Sequence, residues 1–208
     1  FNSSNHASMD NLISLDEYIE KMQSKQDKIY FCVADTFEAA INSPHIEKLK
    51  SKGIEVLLLT DRIDEWLMSS IYEYKGKQLV NVAKEEVSKE NKESKINDKD
   101  KDIIEKIKSH LENKVSDVLI SERLIDSASC LILPQSEPGA QLKKILEASG
   151  QSFGDSRPIF EINTKHRLVK KLKDLKGKQF NSFVDFLFDY ALIAEGGSPK
   201  DPSKYLRQ

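Results

Sequence analysis

Two carboxylates three residues apart, Asp61 and Asp64, follow the apolar run Ile54 to Thr60. Acids at the C-terminal end of a buried strand stand where α/β proteins often place a reacting site. An enzyme built on them, such as a small transferase, needs a polar pocket there and acids with perturbed pKa values. The same residues also suit a helix start, Asp61 as N-cap and Asp64 in the first turn, where carboxylates complement the dipole. Both readings stand at this point. Trp66, the only tryptophan, follows at Asp64-Glu65-Trp66-Leu67-Met68. It is either a core residue or, if exposed beside acids, a binding anchor. The histidines His6, His45, His110 and His166 have no metal-ligand spacing with one another or with the cysteines. Three of them read as solvated residues on polar helix faces, and His6 as part of a frayed start. Cys32 and Cys130 sit in the apolar runs IYFCVA and ASCLIL and read as buried strand thiols, which fits a reducing cytoplasm. No GxxxxGK[ST], GxGxxG or GxSxG occurs.

The elements that would carry these residues follow from local pattern. Ser14-Leu15-Asp16-Glu17 is a capping box opening a helix to about Met22. Lys28 to Ala34 predicts a strand. Asp35 to Lys52 predicts a helix with a break or restart at Pro44, closed by Gly53 at C′. Ile54 to Thr60 is a near-continuous apolar strand of the kind buried on both faces in a parallel sheet. Strand, helix, strand makes a βαβ unit. Asp61 to Tyr72 predicts a helix and Gln78 to Ala83 a short strand.

Lys84 to Asp102 differs in character, with only Val87 and Ile96 apolar among mixed charges. No core can form there, so it predicts a linker or an exposed helical extension and places a domain boundary. Beyond it, Ile103, Ile104, Ile107 and Leu111 form one helical stripe. Strands are predicted at Val115–Ser121, Ser129–Leu133 and Pro158–Asn163. Helices are predicted at Ser136–Ser149, with Leu142, Ile145 and Leu146 on one face, and at His166–Leu175. The expected domains are 1–84, a charged link at 85–101, and 102–208.

The chain of 208 residues carries a net charge of -2, with 32 basic and 34 acidic residues. That balance gives no bulk drive toward nucleic acid or an anionic membrane. No apolar run approaches the ~20 residues of a membrane span. The first residues lack the charged and apolar regions of a signal peptide, and the chain does not begin with Met, as a piece of a longer protein would not.

The last segment is the most unusual. Between Phe180 and Ile193 the polar residues Asn181, Ser182, Asp185 and Asp189 form one narrow stripe, and nearly everything else is apolar. An ordinary surface helix has an apolar arc of about 100° or a little more. This arc is wider, so the helix must be covered on more than one side. Gly196-Gly197 ends it, and Pro199 and Pro202 fit a second short helix. Either a second copy of the chain covers it, or it is a central core helix.

Taken together, SLDEYIEKM, SPHIEKLKSKGIEVLLLTDRIDEWL, GKQLVNV, SERLIDSASCLIL, QLKKILEASGQ, FEIN followed by H-x-LVKKL, and LFDYALIAEGG with DPSKYLRQ occur in this order. In that order they closely resemble the C-terminal third of the ninety-kilodalton heat-shock protein chaperones, in particular the bacterial HtpG type. The resemblance runs from Leu12 onward. It implies an α/β (αβα, βαβ-containing) end of a middle domain, then an α+β dimerisation domain ending in a helical bundle. It implies a homodimer that binds partly unfolded client proteins in the cytoplasm. The parent would use ATP and Mg²⁺ in a domain outside this chain, so no catalytic residue, metal or cofactor is expected here. The client contact carries over onto Glu65, Trp66, Leu142, Ile145 and Leu146. Dimerisation carries over onto Phe180, Phe183, Val184, Leu187, Tyr190, Ala191, Leu192, Tyr205 and Leu206, with monomers expected from Leu187→Glu or Leu192→Glu. Pro138 and Leu142 stand where the family often has Met, a more adaptable side chain. No acidic tail is present, so helical-repeat cochaperones that read one are not expected partners.

Overall fold

The computed structural model describes residues 1–208 apart from 7, 62, 85–97, 136, 151–156 and 208. In chain order the elements begin with β1 (Asn2–Ser3), α1 (Leu15–Lys21), β2 (Lys28–Val33), α2 (Phe37–Ile41), α3 (Glu47–Ser51), β3 (Leu57–Leu59), α4 (Asp64–Ser70), β4 (Glu73–Tyr74) and β5 (Lys77–Asn81). They continue with α5 (Asp98–His110), β6 (Asp117–Ile120), β7 (Ser129–Ile132), α6 (Ala140–Ala148), β8 (Ile159–Ile162), α7 (Arg167–Lys171), α8 (Gly177–Ala194) and α9 (Pro202–Tyr205). They gather into two compact units, Phe1–Lys84 with Ser136–Gly154, and Glu85–Gln135 with Asp155–Gln208. Most of the charged stretch expected as a linker lies outside the described residues.

The first unit is built on a mixed sheet in the order β1-β3-β2-β5-β4. Strands β2 and β3 are parallel, with α2 and α3 in the crossover, so the expected βαβ unit is present. Strand β3 is buried on both faces, as its unbroken apolar run predicts. Leu57 and Leu59 pack with Tyr18, Ile29, Phe31 and Met68, while Leu58 faces Cys32, Phe37, Ala40 and Ile46. The expected long helix over 35–52 is instead α2, a 3-10 turn at Pro44–Ile46, and α3. Proline cannot continue the helical ladder, and Ser43 restarts the chain by accepting from the His45 N–H at 3.3 Å. His45 is carried inward by that turn and is buried, not solvated. At the end of α3, Gly53 has φ +68° and takes the C′ place expected of it.

The N-terminus is also not frayed. Asn2 and Ser3 pair antiparallel with Leu58 and Leu57. Ser3 Oγ donates to the buried Glu55 carboxylate, and Ser4 Oγ accepts from Val56 N–H at 2.9 Å. Helix α1 has both halves of the predicted capping box: Ser14 Oγ accepts from Glu17 N–H at 3.1 Å, and the Glu17 carboxylate accepts from Ser14 N–H at 2.7 Å. Inside it, the Tyr18 hydroxyl donates to Glu55 O at 2.6 Å and accepts from Gln26 Nε2 at 3.0 Å and Tyr30 N–H at 3.1 Å.

The second unit has a three-stranded sheet, β6-β8-β7, with β6 and β8 parallel and β7 antiparallel to β8. One face packs on α5 and α8 through Ile107, Leu111, Leu131, Phe160, Ile162, Val184 and Leu187. Cys130 and Ile132 point to the other face, beside Leu124. Both cysteines are free and buried, as their apolar runs predict. Ser129 Oγ donates to Leu187 O at 2.9 Å, joining β7 to the middle of α8. The C-terminal end of α8 is a Schellman motif: Gly196 has φ +75°, its N–H reaches Ile193 O at 3.0 Å, and Gly197 N–H reaches Leu192 O at 2.9 Å. Tyr205 of α9 stacks on Phe186 with ring centroids 5.7 Å apart.

Candidate functional site

Helix α4 divides its residues sharply. Glu65 and Met68 turn inward and are buried, while Ile63, Trp66 and Leu67 are exposed, Trp66 at 66%. Positions i, i+3 and i+4 share a helix face, so these three form one outward apolar stripe. Trp66 is therefore exposed rather than a core residue. Ile63 and Leu67 complete the stripe, though the sequence reading singled out neither. Their spacing from Trp66 was the available signal.

The pair Asp61 and Asp64 is engaged locally. Asp61 is not the N-cap. That place falls to Ile63, whose side chain makes no capping bond. Asp64 Oδ2 instead accepts from Asp61 N–H at 2.9 Å, closing the turn before α4. Among the described residues no group of three or more His, Cys, Asp and Glu could hold a metal ion.

Glu65 is the one buried acid of α4. Its Oε1 accepts from the N–H of Gly139 at 2.5 Å, and Lys84 Nζ lies 3.4 Å from the same oxygen. Gly139 leads into α6, which packs against α4 within the first unit. On α6, Leu142 and Leu146 are half-buried and Ile145 is exposed at 40%. The geometry thus places Glu65, Trp66, Leu142, Ile145 and Leu146 on two neighbouring helices. Trp66 and Ile145 offer surface, and Glu65 offers none.

The residues carried over as dimer contacts fall into two sets. Phe180, Val184, Leu187 and Ala191 are buried in the core of their own unit. They build the fold and have no surface to offer a second chain. Leu187→Glu therefore places a charge in a closed core and unfolds the unit rather than yielding monomers. Phe183, Tyr190 and Leu192 are half-buried on the flank of α8, Tyr205 is half-buried, and Leu206 is exposed. An open cleft between α5 and the start of α8 is lined by Ile103, Lys106, His110, Leu172, Lys173 and Phe180. Two of its lysines are already ion-paired, Lys106 with Asp102 at 2.6 Å and Lys173 with Asp100 at 3.1 Å.

The family model described as Hsp90 protein matches residues 1–208, the whole chain. The chain belongs to the Hsp90 family. A protein named Chaperone protein HtpG from Cupriavidus metallidurans is 45% identical over 206 residues, covering 94% of this chain and 32% of its own length. Its namesake in Colwellia psychrerythraea is 42% identical over 215 residues, covering 99% of this chain and 33% of its own. The namesake in Legionella pneumophila strain Lens is 41% identical over 202 residues, covering 94% and 32%. The chain spans about a third of the length of the curated relatives it matches. Within this Hsp90 family chain, the described residues are mixed α and β with two sheets. Among the described residues, no helix is long and apolar enough to cross a membrane.

Proposed function

We propose that this chain is the dimerisation and client-binding portion of an ATP-dependent molecular chaperone that assists partly unfolded proteins in the cytoplasm. Residues 1–84 are the end of a middle domain and 102–208 the dimerisation domain, joined by the charged stretch 85–101, with the segment 136–154 of the latter clustering with the first compact unit. Membership of the Hsp90 family and the names of the relatives support the chaperone reading. The observation that carries the client-binding reading is the outward stripe of Ile63, Trp66 and Leu67, beside the exposed Ile145. Contiguous exposed apolar side chains usually mark a binding surface. They give broad, weak recognition of unfolded segments. ATP and Mg²⁺ bind in the parent, outside this chain, and a titration of the chain with ATP and Mg²⁺ gives no specific heat.

The test uses a permanently unfolded probe, reduced and carboxymethylated α-lactalbumin. Trp66→Ala and Ile145→Ala remove exposed side chains, so each changes stability by no more than about 0.5 kcal/mol. Each weakens capture of the probe several-fold. Unchanged capture by both variants sinks the client-face reading. A loss of about 2–5 kcal/mol in stability makes the residues core instead.

A further inference from the structure

Helix α6 is short, nine residues from Ala140 to Ala148. A helix of that length is marginal in water without tertiary support. Its first turn is also poorly equipped. Gly139 is the N-cap, since its C=O accepts the first intrahelical bond, from Lys143 N–H at 2.9 Å. Glycine has no side chain to cap with. The N3 position, where a capping box places Glu or Gln, is Leu142. Helix α1 of the same unit supplies both halves of its box from its own sequence.

What α6 lacks, α4 provides. Glu65 Oε1 accepts from the Gly139 N–H at 2.5 Å, which is the bond an N3 glutamate makes to its own N-cap. The negative charge also lies at the positive end of the α6 dipole. The approach is close: a Cβ at 139 would sit 2.8 Å and 2.9 Å from the two carboxylate oxygens, so a side chain there displaces the carboxylate. The carboxylate is only 5% exposed, its Oε1 is balanced by Lys84 Nζ at 3.4 Å, and its Oε2 has no hydrogen-bond partner among the described residues. A buried carboxylate with so few partners is costly unless its one strong contact is important.

We propose that Glu65 is a positioning residue that caps α6 from outside, holding that helix formed and docked beside the Trp66 stripe. Glu65 then acts on clients through α6 and touches none itself. That last step rests on the client-face reading of Trp66 and Ile145; the cap itself does not.

The experiment is hydrogen–deuterium exchange on the whole chain, read at the amides of 140–148 and of β2 and β3. Glu65→Ala speeds exchange in α6 by about ten- to a hundredfold, the loss of a hydrogen bond to a charged group. Gly139→Ala does the same from the other side by displacing the carboxylate. In both variants β2 and β3 keep wild-type protection. The double variant is no faster in α6 than the faster single, since both remove one interaction. Glu65→Gln keeps an acceptor oxygen but not the charge, so it falls between wild type and Glu65→Ala. Unchanged α6 exchange in both single variants overturns the proposal, as does a double variant whose effects simply add. Capture of the unfolded α-lactalbumin probe separates the two ideas. Faster α6 exchange with unaltered capture leaves the cap standing and removes the client role of α6. Unaltered α6 exchange removes the cap whatever capture does.

Discussion

Single side chains in the first unit carry more than packing. The Tyr18 hydroxyl sits among Glu55 O, Gln26 Nε2 and Tyr30 N–H, where α1 meets the two central strands. Burial raises its pKa from 10.0 to about 12, against the lowering effect of the bonds from Tyr30 and Gln26, and the Glu55 carboxylate adds to the rise. A phenol with a raised pKa binds its proton more tightly when folded. Its contribution is whole below pH 10 and is lost as pH rises toward about 12. Tyr18→Phe leaves a buried carbonyl and a backbone N–H without this partner, and costs about 1–3 kcal/mol at neutral pH. Denaturant melts of wild type and variant show that gap at pH 8 and a narrower one at pH 11. A gap that is constant across that range rules out the hydroxyl as its source.

Elements are joined by contacts that local sequence does not announce. In the second unit α5 and α8 are clasped by Asp185, whose Oδ1 accepts from Lys114 Nζ at 2.9 Å and lies 3.2 Å from His110 Nε2. Burial alone would raise the Asp185 carboxyl. The hydrogen bond and charge of Lys114, with His110, outweigh it and hold the carboxyl below its ordinary 3.8. A lowered carboxyl stabilises the fold above its unfolded pKa, and that support disappears as pH falls through the folded value. Asp185→Asn therefore costs roughly 1 kcal/mol at neutral pH, and wild type and variant converge in strong acid. Melting curves that stay separated at pH 2 would contradict this. The capping box at Ser14, the all-apolar β3 and the glycine turns at Gly53 and Gly196 were legible because their causes lie within a few residues. The edge strand β1 was not, since two residues carry no period and their partner lies beyond residue 50. The burial of His45 and of Glu65 was equally hidden. Each depends on where a distant or irregular piece of chain comes to rest, and the partner of Glu65 is Gly139. For Trp66 the sequence left two readings open, and only the direction in which α4 rotates decides between them.

At the scale of the whole molecule the wide apolar arc of α8 calls for two coverings. Its own sheet and α5 supply one, closing over Phe180, Val184, Leu187 and Ala191. The remaining flank holds Phe183, Phe186, Tyr190 and Leu192 half-buried, with Ile193 43% exposed just beyond. Tyr205 of α9 covers Phe186, its ring stacked with centroids 5.7 Å apart. A two-fold contact between copies of this flank, α8 and α9 from each, would form a four-helix arrangement and hide the same patch twice. Stable pairs of this kind bury about 1,200–2,000 Å² in total, enough apolar area to outweigh the entropy of association. The variants that test it must therefore charge the flank and spare the core. Tyr190→Glu combined with Ile193→Glu puts two carboxylates three residues apart, one at a half-buried position on this flank and one at an exposed position. Sedimentation over a concentration series gives a dimer for the wild-type chain at about 10 µM and a monomer for the double variant, with helical signal retained in both. Leu187→Glu behaves differently, losing the fold along with the dimer, because a charge at a fully closed position costs several kcal/mol. A double variant that stays dimeric, or a wild-type chain that stays monomeric throughout the series, removes α8 as the seam between copies.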